Sequence, residues 1–288
     1  MIAKAAASGA DLVFLDLEDA VAPSRKKDAR ANIVRALNEL DWGRSIRAVR
    51  VNGAHTAWAH EDLITVVEGA GARIDVIILP KVKAPRDVWF FDTLLTQLES
   101  RLGLERRIGL EVLIEEAEAL ACVEQIAACC DRLEALILGV GDLSASLGLR
   151  VGSIASIGDQ AEGGYPGDIW HFARCRLVCA ARANGLDAID GPYANFGNPD
   201  GYRREANWAS ILGCAGKWAI HPAQIDIAHD VFAPSDSEIA LARTMVEAYK
   251  AAESGGAGSS GMAGMMVDAA TARIFEVVLE RARLAGRA

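Results

Sequence analysis

Short β-branched runs recur along this chain, and the polar residues at their ends fall at a nearly constant spacing. Asp16 to Arg50 is 34 residues, Arg50 to Lys81 is 31, Lys81 to Glu115 is 34 and Glu115 to Asp142 is 27. A strand, a crossover helix and their loops take about 30 residues, so each step is one βα unit. Each of these polar residues then marks the carboxyl end of its own strand. Strands read over residues 12–17, 46–51, 75–79, 108–114, 135–138, 188–189 and 218–220, with helical spacing over 26–40, 60–69, 88–102, 117–130 and 169–184. Alternating β and α elements imply a parallel sheet with right-handed crossovers. An open doubly wound sheet would spread the strand ends along a line, whereas a barrel gathers them on one face, where barrel enzymes place their chemistry. No GxGxxG or GxxxxGK[ST] loop supports the open sheet. The expected fold is therefore α/β, a (β/α)8 TIM barrel. Seven strands are legible, and the chain opens on a helix over residues 2–8, as though the first strand were missing.

After residue 233 the rhythm changes. A Pro-Ser-Asp segment caps a helix over 237–252, a Gly/Ser run at 254–261 reads as a flexible linker, and a last helix covers 269–284. Residues 1–233 are thus the expected catalytic barrel and 234–288 a helical extension. The chain carries 30 Lys and Arg against 39 Asp and Glu, a net charge of −9, which lacks the basic footprint of a nucleic-acid binder. No run reaches the ~18–20 apolar residues of a membrane span. The six cysteines have no zinc-like spacing, and five lie in Ala-rich helical segments, as reduced packing residues of a cytoplasmic protein do.

Among the strand-end residues, Glu115 and Asp142 form the sharpest pair. Two carboxylates on adjacent strands, with Gly139 and Gly141 around the second, suit Mg²⁺, which takes one or two carboxylates plus waters and substrate oxygens. Alternatively each is paired with a cation or caps a helix. Arg50 suits bidentate capture of a carboxylate or a developing oxyanion, or else forms a structural ion pair with Glu18 or Asp19. Lys81 is open to a Schiff-base role or to neutralising buried acids such as Glu111, whose strand parity matches that of Glu115. The segment DLEDAV places Asp16, Glu18 and Asp19 within four residues, a clustering that calls for a cation. Neither an HExxH nor a GxSxG motif is present, against a zinc-protease or serine-hydrolase reading.

In order, LDLEDAV, VRVNG, LPKV, LIEEAEAL, LGVGDLSASLG and IHPAQI resemble the HpcH/HpaI aldolase and citrate lyase β-subunit family, with its malyl-CoA lyase branch as the nearer match. The resemblance implies Mg²⁺, with Mn²⁺ as a substitute, held by Glu115 and Asp142. Arg50 and Gly141 would join those two in contacting substrate, and Glu18, Asp19 and Lys81 would surround the metal's waters. Asp268, in GMMVD, resembles the aspartate of a tail motif that reaches a neighbouring subunit's barrel and serves as acid/base; by residue type alone it is a helix N-cap. The implied partners are an acyl-CoA and a small 2-oxo acid, in a homotrimer or homohexamer.

The implied reaction is retro-Claisen cleavage of a 3-hydroxyacyl-CoA, malyl-CoA giving acetyl-CoA and glyoxylate. Citramalyl-CoA or citryl-CoA cleavage, malyl-CoA thioester hydrolysis and an inactive CoA-binding barrel are the alternatives. The sequence departs from the family in two places. An opening RSxLFVPG-like strand is absent, and the tail reads AGMM where DGKM is usual, with Met265 in place of the lysine. The run Arg25-Lys26-Lys27 either meets CoA phosphates or is an exposed helix start.

Overall fold

The computed structural model describes residues 2–150, 167–262 and 265–287. The chain divides into two compact units, Met1–Ala228 and His229–Ala288. In the larger, α1 (Ile2–Ala6) leads to β1 (Leu12–Asp16), α2 (Lys26–Glu39), β2 (Ile46–Arg50), α3 (Ala59–Ala70), β3 (Val76–Leu79), α4 (Pro85–Leu102) and β4 (Gly109–Ile114). There follow α5 (Ala117–Ala121), α6 (Val123–Ala127), β5 (Leu133–Leu138), α7 (Val140–Ser146), α8 (His171–Ala183), β6 (Asp187–Asp190), α9 (Pro199–Leu212) and β7 (Gly216–Lys217), and then α10 (Ile225–Phe232), whose residues fall on both sides of the division at Ala228. The seven strands are all parallel and ordered β1 to β7 as in the sequence.

The sheet curls. Ala48, Val76, Ile78, Leu113 and Ile137 from β2–β5 form one buried cluster, against which Leu12 and Phe14 of β1, Ile189 of β6 and Trp218 after β7 also pack. Phe14 and Trp218 stack with ring centroids 4.5 Å apart, so the first and last strands approach each other. All residues of β3 and β4 are buried, as expected of strands covered on both faces. Helix boundaries follow local chemistry. In α4, Pro85 opens the helix, the Asp87 side chain accepts from the Lys83 and Ala84 N–H groups, and Gly103 at φ 64° closes it.

Three expectations need correction. The seventh strand is Gly216–Lys217 and not 218–220: the Trp218 N–H still donates to the Asp190 carbonyl at 3.0 Å, but pairing with β6 ends there and the Trp218 ring stacks on Phe14. The helix expected over 117–130 is broken at Cys122 into α5 and α6. In the smaller unit, α11 (Asp236–Ser254) and α12 (Ala269–Leu284) pack together, and the expected linker contributes β8 (Ser259–Met262), which pairs antiparallel with β9 (Met265–Asp268). Ladder hydrogen bonding thus overrides the flexibility that Gly/Ser composition suggests. Ala263 and Gly264 of the tail motif lie outside the described residues. Among those described, no helix is long and apolar enough to cross a membrane.

Lys81 does not neutralise Glu111; its Nζ lies among other acids. Glu111 is buried on β4 and has no hydrogen bond or ion pair among the described residues. Burial first, then the charges of Glu134 and Asp187, push it up to about 7. Between its ordinary value and that one, the folded chain keeps a proton that the unfolded chain has released. Stability therefore falls as pH rises through this window, by up to about 3 kcal/mol. Glu111→Gln is expected to remove that decline and to be the more stable chain at pH ~8. Urea unfolding at pH ~5 and ~8 reads it; an unchanged pH dependence in the variant contradicts the assignment.

Candidate active site

The carboxyl ends of β1–β5 converge as their spacing requires. Asp16 and Arg50 are direct register partners on β1 and β2. Arg50 Nε donates to Asp16 Oδ1 and Nη2 to Oδ2, each at 2.7 Å, while Nη1 lies 3.2 Å from Glu18 Oε2. Its guanidinium also lies over the rings of Phe14 and Trp218, at 5.6 and 5.9 Å. Burial works against the Asp16 charge, but Arg50 and the N–H groups of Glu18 and Ala20 outweigh it and hold the carboxyl below its usual range. The main structural partner of Arg50 is thus Asp16, with Glu18 second; Asp19 is not bonded to it. Nε and Nη2 of the fork bond Asp16 and Nη1 pairs with Glu18, so each edge of the guanidinium has an acidic neighbour.

Lys81 follows β3 with its backbone in the left-handed region at φ 53°, uncommon for a residue other than glycine. Its N–H donates to Glu115 Oε1 at 2.8 Å. Its Nζ stands 2.6 Å from Asp142 Oδ2, 3.7 Å from both Glu115 Oε1 and Glu18 Oε1, and 3.8 Å from Asp19 Oδ2. Burial disfavours the ammonium, yet Glu115, Asp142 and Glu18 together raise its pKa. A Schiff-base nucleophile needs the neutral amine, so this setting opposes that role.

Glu115 is buried at the end of β4, and burial pushes it up to about 7 despite Lys81. Asp142 lies in the first turn of α7, its side chain 42% exposed. Gly139, between them, is required: a Cβ there would come within 2.4 Å of the Glu115 Cβ. Gly141 precedes Asp142 in the same turn. The structure therefore brings Arg50, Glu18, Asp19, Lys81, Glu115, Gly141 and Asp142 to one mouth. Asp268 belongs to the smaller unit, where it caps α12: its Oδ1 accepts from the Thr271 N–H at 2.9 Å, which holds the carboxyl below its usual range.

Two residues that tie the mouth together escaped the sequence reading. Lys26 is buried rather than exposed or turned toward phosphates. Its Nζ donates to the Leu17 and Glu18 carbonyls at 2.6 and 2.9 Å and to Asn52 Oδ1 at 2.8 Å. Asn52 in turn donates to the Leu17 carbonyl and to buried Asp62. Together they fasten the DLEDAV segment in place. The Asn in VRVNG was the available signal, since a polar residue just past a strand end is positioned to tie loops.

The donor set can be tested against a metal. Among the described residues, no three His, Cys, Asp or Glu side chains form a cage by themselves. Mg²⁺ needs no such cage, since it relies on one or two carboxylates and otherwise on waters and substrate oxygens. All four acids already face a single cationic atom, the Lys81 Nζ. The residues fit a hard divalent ion.

A curled parallel β/α sheet with an acidic mouth at its strand ends is a barrel-like α/β architecture with its functional face at the carboxyl ends. The chain belongs to the HpcH/HpaI aldolase/citrate lyase family, whose profile matches residues 1–222. It is 41% identical over 289 aligned residues to an L-malyl-CoA/beta-methylmalyl-CoA lyase of Cereibacter sphaeroides, covering 98% of this chain and 90% of that one. A (3S)-malyl-CoA thioesterase of the same species is 36% identical, covering 92% and 84%. Among solved structures, CitE of Mycobacterium tuberculosis in complex with magnesium, acetoacetate and coenzyme A matches with a TM-score of 0.76 at 30% identity, over 98% of this chain and 92% of that one.

Proposed function

We propose that this protein is a Mg²⁺-dependent carbon–carbon lyase that cleaves malyl-CoA reversibly to acetyl-CoA and glyoxylate. The observation that carries this reading is the set of four carboxylates and Arg50 gathered at one mouth. The lyase named for malyl-CoA at 41% identity, and the magnesium and coenzyme A in the CitE complex, support it. Glu115 and Asp142 would hold the ion, which supplies Lewis-acid polarisation of the 2-oxo acid's oxygens when bound.

The chain's own residues do the rest. The Arg50 guanidinium, whose Nη1 edge lies beside Glu18, stabilises charge on the oxygen that becomes the glyoxylate aldehyde. In cleavage a carboxylate takes the proton of the substrate hydroxyl, that oxygen becomes the aldehyde carbonyl, and the bond from the hydroxyl-bearing carbon to the carbon alpha to the thioester breaks, its electron pair passing to an acetyl-CoA enolate. The carboxylic acid so formed then delivers the proton to the alpha carbon of the enolate, and the two transfers run in reverse in the condensation direction. Asp268 is assigned this role, donated by a neighbouring subunit of a homotrimer or homohexamer, with residues 234–288 as the extension that brings it and 1–233 as the catalytic barrel. The sheet is read as a (β/α)8 TIM barrel whose eighth strand position lies between β7 and β1. A cytoplasmic enzyme with Mn²⁺ as an alternative ion completes the reading.

The test is product analysis with malyl-CoA, in Mg²⁺ and in EDTA. Glyoxylate and acetyl-CoA formed only with metal are the expected result. Free CoA without glyoxylate would identify the thioesterase, the reading favoured by the relative at 36% identity. Turnover that survives EDTA and is trapped by borohydride would return Lys81 to a covalent role. A folded protein that binds CoA without turnover would be a binding barrel. Citramalyl-CoA is assayed alongside, because one methyl changes specificity by only ~1–3 kcal/mol.

A further inference from the structure

Two buried lysines near the mouth are held in opposite ways. Lys26 Nζ is bolted by three aligned acceptors, the carbonyls of Leu17 and Glu18 and the Asn52 side chain. Lys81 Nζ is also buried, but no oxygen around it is aligned to accept its hydrogen bonds, even with Asp142 Oδ2 at 2.6 Å. It is held by charge, with Glu18, Asp19 and Glu115 at 3.7–3.8 Å around it. A group held by direction is fixed, whereas a group held by field gives way to a stronger charge. We propose that the Lys81 ammonium is an exchangeable counter-cation of the acidic mouth, which balances Glu18, Asp19, Glu115 and Asp142 without metal and is displaced when a divalent ion enters between Glu115 and Asp142.

The charges support the exchange. Arg50 bonds Asp16 twice and reaches only Glu18 among the other acids, so Lys81 is the cation that touches all four of Glu18, Asp19, Glu115 and Asp142. Lys81, with Arg50 shared between Asp16 and Glu18, leaves an excess of acidic groups at the mouth that a divalent ion lowers further. A divalent ion and an ammonium within a few ångströms repel each other, and water and the long lysine stem give the ammonium somewhere to go. The left-handed backbone at Lys81 is costly for a non-glycine residue. It also lets one residue present its N–H to Glu115 and its ammonium to the same cluster. Lys81 is on this account a positioning residue: it keeps the ligands together and sets the threshold for metal entry.

This inference rests on the metal reading above, so the experiment separates the two. Full-length Lys81→Gly and Lys81→Asn both tolerate the left-handed backbone. Mn²⁺ binding is followed by electron paramagnetic resonance on wild type, both variants and Asp142→Asn, with thermal unfolding in EDTA and in Mn²⁺. Removing the competing ammonium is expected to tighten Mn²⁺ binding by roughly tenfold. The EDTA-treated variants should melt below wild type, and Mn²⁺ should restore them. Unchanged or weaker Mn²⁺ affinity in the Lys81 variants overturns the exchange, as does failure of both variants to fold in Mn²⁺. If wild type binds no Mn²⁺, or Asp142→Asn binds it equally well, the metal reading itself fails. If Asp142→Asn loses binding while the Lys81 variants match wild type, only the exchange fails.

Discussion

Asp142→Asn is expected to lower malyl-CoA cleavage by about 10³-fold at saturating Mg²⁺, with the fold intact. The substitution keeps the shape of the side chain and removes one negative charge. Asp142 sits in the first turn of α7, and its side chain is 42% exposed. No packing is lost, so Tm should stay within about 2 °C of wild type in Mg²⁺. A metal that polarises the reacting oxygens is worth several kcal/mol to the transition state, and halving its anionic ligands forfeits much of that. Glu115→Gln should lose activity similarly but differ in stability. Burial pushes Glu115 up to about 7, so the ionised form costs folded-state stability as pH rises through that value. The neutral amide escapes this cost, and Glu115→Gln in EDTA should be at least as stable as wild type above neutral pH. Steady-state kinetics across a Mg²⁺ titration reads the first expectation. Wild-type turnover by Asp142→Asn would remove this residue from the metal site, and rescue by excess Mg²⁺ would confine its role to affinity.

The mouth was legible in the sequence because spacing and parity are both backbone properties. Asp16 and Arg50 end β1 and β2 and are direct register partners, Glu115 directly follows β4, and Asp142 lies four residues past β5 in the first turn of α7, so spacing located its unit but not its place on a helix. The same spacing of 34 residues could have chosen Asp16 over Glu18 and Asp19 as the main partner of Arg50; three acids within four residues obscured it. Lys26 was misread for a different reason. A lysine in a run of three basic residues at a helix start looks exposed by type, and its burial depends on two carbonyls and Asn52 brought together by the tertiary fold. The break at Cys122 and the β8–β9 hairpin likewise depend on packing and pairing, which local composition does not encode. Asp268 caps α12 by accepting from the Thr271 N–H, as its residue type suggests, whereas the acid/base role proposed above involves a second subunit and is not a matter of local composition.

Asp190→Ala is expected to destabilise the chain by about 3–5 kcal/mol, a loss typical of breaking a buried ion pair from one side. Asp190 lies on β6 with its side chain fully buried. It accepts from Arg174 Nε at 2.7 Å and from Lys217 Nζ at 2.6 Å, and both cations are 99% buried as side chains. Glu205 lies 3.2 Å from Lys217 and 3.8 Å from Arg174, and Asp168 also pairs with Arg174. Without Asp190, two buried cations keep only these outer partners, with a void between them. Burial alone would raise the Asp190 pKa, but Lys217 and Arg174 outweigh it and hold the carboxyl below its usual range. Its folded value is depressed, so the stabilisation is present above about pH 4 and is withdrawn as pH falls through the folded value. The loss should appear as a Tm drop on the order of 10 °C at neutral pH, and the gap should narrow in acid. Glu124→Ala is the control. Arg176 holds Glu124 down to about 2, yet the pair is exposed, and exposed pairs contribute little to stability. The consequence reaches the mouth, because Lys217 Nζ also donates to the Gly191 carbonyl at 2.8 Å and so sets β7 beside β6. Trp218, the next residue, stacks on Phe14, and both rings lie under Arg50. A loosened β7 should therefore weaken the setting of Arg50, and Asp190→Ala should lose catalytic rate below its melting range although Asp190 touches no substrate. Wild-type kinetics with a reduced Tm would show that the network stabilises the last strands without positioning Arg50.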